Sequence, residues 1–486
     1  MVNTGDTAWV LVSAALVLLM TPGVALFYGG MVRVKSVLNM MMMSFGALAL
    51  VSVLWVLYGY SMAFGDDVGA GLLGSPAEYL GLSGLMVDLT SANGGLPAMA
   101  FVAFQAVFAI ITVALISGAI ADRAKFGAWM VFAGIWATVV YFPVAHWVFD
   151  FTVTDAAGRV THTGGWIANN LAAIDFAGGT AVHINAGAAG LALALVLGRR
   201  RGFGREPMRP HNLPLVMLGA GLLWFGWFGF NAGSALAADN TAAVAWVNTL
   251  AATAAAVLGW LATERVRDGH ATSLGAASGV VAGLVAITPA CSALSPVGSV
   301  VLGGVAGVLC ALAVGLKYRL GYDDSLDVVG VHLVGGVVGT IGVGFLATAA
   351  APAGVDGLFY GGGVDQLWRQ AVGAAAVLAY SFVLTALIGV LLQRTIGFRI
   401  DEEHELAGID LVVHAETGYD LHTAPGATGR VRPGVAASTA TAARGVTATS
   451  PADGPGRDES RVGEVGEDRV GEDRVDEDRD EGRVNA

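Results

Sequence analysis

Apolar runs long enough to cross a bilayer recur along this chain, separated by short polar stretches. They fall near residues 8–29, 37–63, 97–120, 126–149, 175–197, 212–233, 241–263, 272–290, 297–316, 328–350 and 368–392, which predicts eleven helices. The polar stretches between them alternate in charge. Arg33 and Lys35 follow the first run, Arg123 and Lys125 the third, and Arg199, Arg200 and Arg201 the fifth. Arg265 and Arg267 follow the seventh, Lys317 and Arg319 the ninth, and Arg394 and Arg399 the last. Basic residues collect on the cytoplasmic side, so this alternation predicts an outside N-terminus, a cytoplasmic C-terminus and an odd number of spans.

Composition agrees with a membrane protein: 55% of residues are hydrophobic and 13% charged, with a mean hydropathy of +0.66. The 69 glycines have no three-residue period, which excludes collagen and fits close helix approach in lipid. The opening MVNTGDTAWV lacks a basic region, so the first run is expected to stay as a helix. Cys291 and Cys310 both sit in apolar runs, which argues against a disulfide framework. The stretches opposite the basic ones are acidic, with Asp66, Asp67, Glu78 and Asp88 in one and Asp150 and Asp155 in another. They read either as solvated loop residues or as a field that gathers cations at an outer mouth.

Beyond Ile400 the pattern stops. From Pro451 to Ala486 there are thirteen acidic side chains and six arginines, including the tandem units VGEDR, VGEDR and VDEDR. Such a segment cannot bury enough apolar surface to fold. The expected organisation is a membrane domain over 1–400, a cytoplasmic regulatory segment over 401–423 and a disordered acidic tail over 424–486. The pI of 5.1 is largely a property of that tail. Nucleic-acid binding has no support.

Two apolar segments carry ionisable groups at membrane depth. IDFAGGTAVHINAG contains Asp175 and His183; DVVGVHLVGG contains Asp327 and His332. Charged or titratable groups in lipid are costly, normally face the bundle interior and mark a conduction path. The two segments hold the same place in spans 1–5 and 6–10, which predicts an inverted 5+5 repeat plus a final helix, with the site between the halves. The spacings differ, eight residues in the first and five in the second. Two neutral imidazoles can hydrogen-bond a small polar molecule or relay a proton; the plainer alternative is that each ring satisfies a backbone carbonyl. His146, near the outer end of the fourth span, reads as structural. A metal site is weakly supported, because neither His183 nor His332 has a second histidine or cysteine one helical turn away. Phe104 and Phe108 share one face of the third span, and Trp224, Trp227 and Phe230 form a similar stripe in the sixth, before Asn231 and Ser234. Such faces serve packing or, alternatively, attract cations.

Together these segments resemble the ammonium transporter (Amt/Rhesus) family, bacterial type. The resemblance is carried in order by YGGMVRVKSVLNMMMMSF, FVAFQAVFAIITVALISGAIADR, DFAGGTAVHINAG, WFGFNAGSA, GLVAITPAC, DVVGVHLVGG and GIDLVVHAETGYD, from about Thr7 to Tyr419. It implies an all-α polytopic protein that is no enzyme, needs no cofactor, and moves ammonium or its analogue methylammonium across the plasma membrane. Asp175 would organise an external ammonium site through helix-end backbone groups. Phe104 and Phe108 would form the stacked phenylalanine gate, with Phe108 outermost, and Phe230 its second layer. Ser234 would bond the cation, Trp227 line the pore, His183 and His332 be the central twin histidines, and Thr288 support the pore. The resemblance also implies a homotrimer in the lipid bilayer and a PII-type signalling protein at the cytoplasmic face. A sensor that binds ammonium with little net transport is the alternative.

Two departures stand out. Relatives commonly carry a tryptophan where this chain has Phe149, so Trp147 or Trp166 would have to take over external cation recruitment, or affinity would fall. Plant relatives carry a regulatory threonine where this chain has Val412, which excludes phosphorylation there.

Overall fold

The computed structural model describes residues 2–87 and 95–419. Asp88, the acidic tail and the boundary at Thr423 lie outside the described residues.

Ten helices among the described residues are long and apolar enough to cross a membrane. They are α1 (Thr4–Met31), α2 (Val37–Phe64), α3 (Ala98–Ile120), α4 (Phe126–Phe149), α5 (Gly179–Leu197), α6 (Leu213–Gly233), α7 (Asn240–Asp268), α9 (Pro296–Leu320), α10 (Val329–Leu346) and α11 (Asp365–Thr395). The run expected over 272–290 is instead a helix of only 15 residues, α8 (Ser273–Ile287). At 1.5 Å per residue it is about 22 Å long, short of the roughly 30 Å hydrocarbon core. Pro289 stops it: Thr288 before it is still helical, but proline donates no N–H to continue the hydrogen-bond ladder. The chain continues through turns to Leu294, leaving Thr288 at the helix end.

Long helices pack in a bundle whose central members are nearly enclosed. α1 runs along α6, α7 packs on α8 and α9, and α11 lies across α5 and α10. Small residues permit this: a Cβ at Gly219 would lie 2.4 Å from the Phe27 backbone nitrogen, and no side chain fits there. The outward faces carry exposed apolar residues such as Leu18, Phe225, Val247 and Leu387, which suits a hydrocarbon surround. The chain is a multi-pass membrane protein by these helices and by the relatives described below.

α5 and α10 differ from ordinary helices in the same way. Each begins in a π-helical turn, Gly179–Ile184 and Val329–Leu333 respectively, and each turn carries its histidine. Wide turns of this kind re-aim side chains and recur at functional positions. Outside the bundle lie a short hairpin, β1 (Val153–Thr154) and β2 (Val160–His162), and a final helix, α12 (Glu402–Ala407).

Residues 401–419 pack on the rest of the chain, in part through Arg201, which pairs with Glu402. Glu405 is fully buried and accepts from Arg399 Nη2 at 3.0 Å and from the Arg201 backbone N–H at 2.8 Å, with Arg33 3.7 Å away. Arg200 instead forks onto Asp323 and reaches Asp122, while Arg199 donates to the Gly321 carbonyl. Asp410 caps α2 by accepting from the Leu38 and Asn39 amides at 3.0 and 2.8 Å.

Candidate functional site

Asp175 precedes α5 and acts as its cap. One oxygen accepts from the amides of Gly178 and Gly179 at 2.8 and 2.5 Å; the other accepts from Thr180 and Ala181 at 2.8 and 3.2 Å, and from the Thr180 hydroxyl. Gly178 has φ +110°, a left-handed conformation in which a side chain would be strained, and this bend lets four successive amides face one carboxylate. His183 follows within the same π-turn, so the cap fixes where that imidazole stands.

The counterpart in the second half is Asp324, not Asp327. Asp324 is buried and accepts from the Val328 and Val329 amides at 3.1 and 2.7 Å, capping α10 as Asp175 caps α5. It lies eight residues before His332, the same interval as from Asp175 to His183. Burial pushes the Asp324 carboxyl up to about 6, with Asp327 adding to the effect. Asp327 sits at φ +63° and turns toward Lys317 Nζ, 2.7 Å away. The unequal spacing in the sequence therefore came from pairing the wrong aspartate with His332.

The two histidines meet. Their Nδ1 atoms lie 3.3 Å apart, and their rings are nearly parallel, 20° apart with centroids at 5.4 Å. Both are buried, at 1% and 3% exposure. When both rings are neutral, a hydrogen bond between the two Nδ1 atoms fixes their tautomers: one ring donates there and keeps a bare Nε2, the other accepts there and carries its proton on Nε2. The neutral pair thus presents one acceptor and one donor. His183 Nε2 has no protein partner. Both rings line a narrow space of about 10 Å³, room for about one water-sized molecule, walled by Val24, Phe27, Ile111, Leu115 and Leu223.

Trp227 lies flat on His183, 19° from parallel with centroids 5.3 Å apart. Its indole N–H donates to Thr288 Oγ1 at 2.8 Å, and the Thr288 hydroxyl lies 3.3 Å from Asn231 Oδ1 and 2.7 Å from the Leu284 carbonyl. Thr288 thus meets His183 only through the indole that lies on that ring.

The aromatic layers are arranged differently from the expectation. The stacked pair is Phe108 with Phe230, centroids 4.2 Å apart and planes 25° apart. Phe104 meets Phe108 at 61°, fully buried behind it against Gly233. Neighbours at i and i+4 on one helix project side by side, so they cannot stack face to face as readily as rings from facing helices.

Above Phe108 opens a cavity of about 1000 Å³. Phe108, Phe149, Ser234, Phe176 and Gln105 line its floor side, and Asp66, Glu78, Asp150 and His162 its walls. Ser234 donates its hydroxyl to the Phe230 carbonyl at 2.8 Å, so its oxygen keeps acceptor capacity. Phe149 stands 6.2 Å from Phe108, edge to face. Trp147 and Trp166 do not line this cavity; Trp147 is buried, donates to the Leu72 carbonyl at 2.8 Å and packs on Trp166 and Tyr380. Of these three aromatics, Phe149 is the one that lines the cavity. His146 is wholly buried between Ala63, Asp67 and Asp150. Gln105 and His162 were missed in the sequence; Gln105 carried a signal, a lone amide inside FVAFQAVF, whereas His162 sits in a polar loop with none. Among the described residues no three His, Cys, Asp or Glu side chains gather to hold a metal ion.

Comparisons with known proteins give the family. The family model described as Ammonium Transporter Family matches residues 8–419. An ammonium transporter of Mycobacterium tuberculosis is 64% identical over 442 residues, covering 87% of this chain and 91% of that protein. One from Aquifex aeolicus is 48% identical over 424 residues, covering 86% and 94%. Among solved structures, Saccharomyces cerevisiae Mep2 superposes with a TM-score of 0.73 at 34% identity, covering 83% of this chain and 88% of that one. A structure titled as a sensor Amt protein gives 0.75 at 28% identity, covering 84% and 98%. With a matched segment that spans the whole membrane bundle, the chain belongs to the ammonium transporter family.

Proposed function

We propose that this protein takes up ammonium across the plasma membrane by gathering the cation in the outer cavity, removing its proton near the Phe108–Phe230 stack and passing ammonia along His183 and His332. The single observation that carries the reading is the neutral histidine pair in a passage too narrow and too apolar for a hydrated ion. Taking an ammonium-sized ion into such surroundings has an idealised cost of order 20 kcal/mol. Losing a proton removes most of it, and potassium has no proton to lose. Ammonia then finds one acceptor and one donor on the pair, matching its own hydrogens and lone pair, and the shared Nδ1 hydrogen offers the released proton a parallel route.

In the mouth, the faces of Phe108 and Phe149 attract a cation by roughly 0.5–2 kcal/mol each, depending on desolvation. Ser234 supplies an oxygen acceptor, and Asp175 serves by holding α5 in register and not by touching the ion. The family membership supports a homotrimer of eleven-span subunits, each an inverted 5+5 repeat with its own pore and a cytoplasmic C-terminus. The matching caps of Asp175 and Asp324 support the repeat. The same membership supports a PII-type partner on the cytoplasmic face. The segment 401–423, ahead of the tail 424–486, reads as regulatory because Glu405 and Asp410 join it to the ends of several spans.

Uptake of labelled methylammonium into cells lacking their own transporters tests the reading. Alanine at His183 or His332 should abolish uptake or admit potassium, with the purified protein still of native size. Two such variants that transport normally and exclude potassium would remove the histidine pair from the pathway. The sensor alternative, which the similarity to a sensor Amt protein keeps in view, requires ammonium binding with no uptake by the wild type.

A further inference from the structure

Among the described residues the outer cavity has one imidazole in its lining, His162, and that ring is hydrogen-bonded to a carboxylate of the same lining, Asp150. Asp150 follows Phe149 directly and closes α4. His162, the last residue of β2, places Nε2 2.9 Å from both Asp150 oxygens. The same carboxylate is approached from behind by His146 Nδ1 at 3.1 Å, and His146 Nε2 is 3.3 Å from Asp67. On its other side, His162 Nδ1 is 3.9 Å from Asp66. Asp67, His146, Asp150, His162 and Asp66 form an alternating chain of carboxylates and imidazoles running from the protein interior to the mouth.

The hairpin is anchored to hold this position. The Gly165 amide donates to the Asp150 carbonyl at 3.0 Å, Thr152 N–H to Asn169 Oδ1 at 2.8 Å, and Asn169 Nδ2 back to the Asp150 carbonyl at 2.9 Å. A Cβ at Gly165 would lie 1.9 Å from the His146 carbonyl oxygen, so only glycine allows the return strand to lie this close to α4. Among the described residues, the charged groups facing His162 are Asp66, Asp150 and Glu78, from the loop after α2 and the end of α4, with Asp67 and His146 behind Asp150. Arg159, the cation of its own hairpin, is engaged by Asp155 at 2.6 Å.

We propose that His162 sets the affinity of the mouth for its cation: as a neutral ring it leaves the Asp150 charge to attract ammonium, and as an imidazolium it cancels that charge. The hydrogen bond to Asp150 raises the His162 pKa against an opposing effect of burial, with Asp66 and Glu78 adding to the rise. The change therefore falls above the ordinary histidine midpoint of about 6.5, within the range of external pH. The residue is a positioning and electrostatic group, since it acts through Asp150. The inference rests on the ammonium-uptake reading above.

The test is methylammonium uptake in vesicles with equal pH on both faces and the voltage clamped, at about pH 5.5 to 8.5. An alkylammonium, like a lysine side chain, stays protonated across this range, so substrate charge is constant. The wild type should show a KM that rises about two- to fivefold as pH falls, the effect of one unit charge across a wet mouth. His162→Gln and His162→Asn should give a flat KM near the wild-type alkaline value. His162→Arg should hold the wild-type acid value at every pH. Maximal rates should change little in all three, because the gate and histidine pair are untouched. A neutral variant whose KM still follows the wild-type pH profile overturns the inference, as does an arginine variant with the alkaline KM. A wild type that transports nothing at any pH instead removes the uptake reading beneath it.

Discussion

Replacing Asp175 by alanine takes one acceptor group away from five donors: four backbone amides and the Thr180 hydroxyl. Residues Gly178 to Ala181 are all buried, so water reaches few of the freed amides. Bonds to a charged acceptor contribute about 1.5–3 kcal/mol each. If two amides find water and two do not, the loss is about 3–6 kcal/mol, a large part of the 5–15 kcal/mol that holds a typical domain. The π-turn that carries His183 starts at these amides, so conduction should fail along with stability. Asparagine separates capping from charge. Its oxygen can keep Gly178 and Gly179, but its amide group faces the Thr180 and Ala181 N–H donors, and only the Thr180 hydroxyl can accept from it. Methylammonium uptake and the melting temperature of the detergent-purified protein should therefore fall together, in the order wild type, Asp175→Asn, Asp175→Ala. Asp175→Glu, with the carboxylate displaced by one methylene, should also be impaired. A fully active alanine variant refutes the reasoning. So does an asparagine variant that melts like wild type yet is as inactive as alanine, since charge and not capping would then be the carboxylate's contribution.

Other substitutions probe separate parts of the path. Thr288→Val leaves the Trp227 indole N–H buried without an acceptor, at about 1–3 kcal/mol, and should lower the maximal uptake rate with KM unchanged; Thr288→Ser should restore it. Phe149→Trp should lower KM by up to about fivefold, the cation-π gain being below about 1 kcal/mol, while Trp147→Phe should leave KM alone because that indole faces Leu72. Glu405→Ala removes the carboxylate from between Arg399 and Arg33 and should destabilise the purified protein by about 3–5 kcal/mol, read as a lower melting temperature. Deleting 424–486 should leave uptake near wild type, whereas truncation after Gly397, which also removes Glu405 and Asp410, should reduce it.

Much of this molecule is written locally in its chain. Apolar runs of about 20 residues select helices that bury their backbone polar groups internally, because lipid offers those groups no partner. The same economy made His183 and His332 legible, since an ionisable group in such a run has few explanations besides a path. Pairing, however, depends on which distant elements approach one another. Three aspartates, Asp323, Asp324 and Asp327, lie just before His332 in the sequence, and the nearest one attracted the assignment; only the turn at Asp327, φ +63°, sends that side chain to Lys317 and leaves Asp324 to cap α10. Phe104 and Phe108 share a helix face, yet the ring that stacks on Phe108 comes from α6, as Phe230. Pro289 was visible in ITPAC, but the bond from the Trp227 indole to Thr288 beside it required the helix that Trp227 stands on. His162 and Glu405 carry no apolar pattern at all. Their environments are made by the folded chain, which brings a loop hairpin to the end of α4 and a buried carboxylate to two arginines from opposite ends of the sequence, so their significance arises from long-range packing and not from any local periodicity.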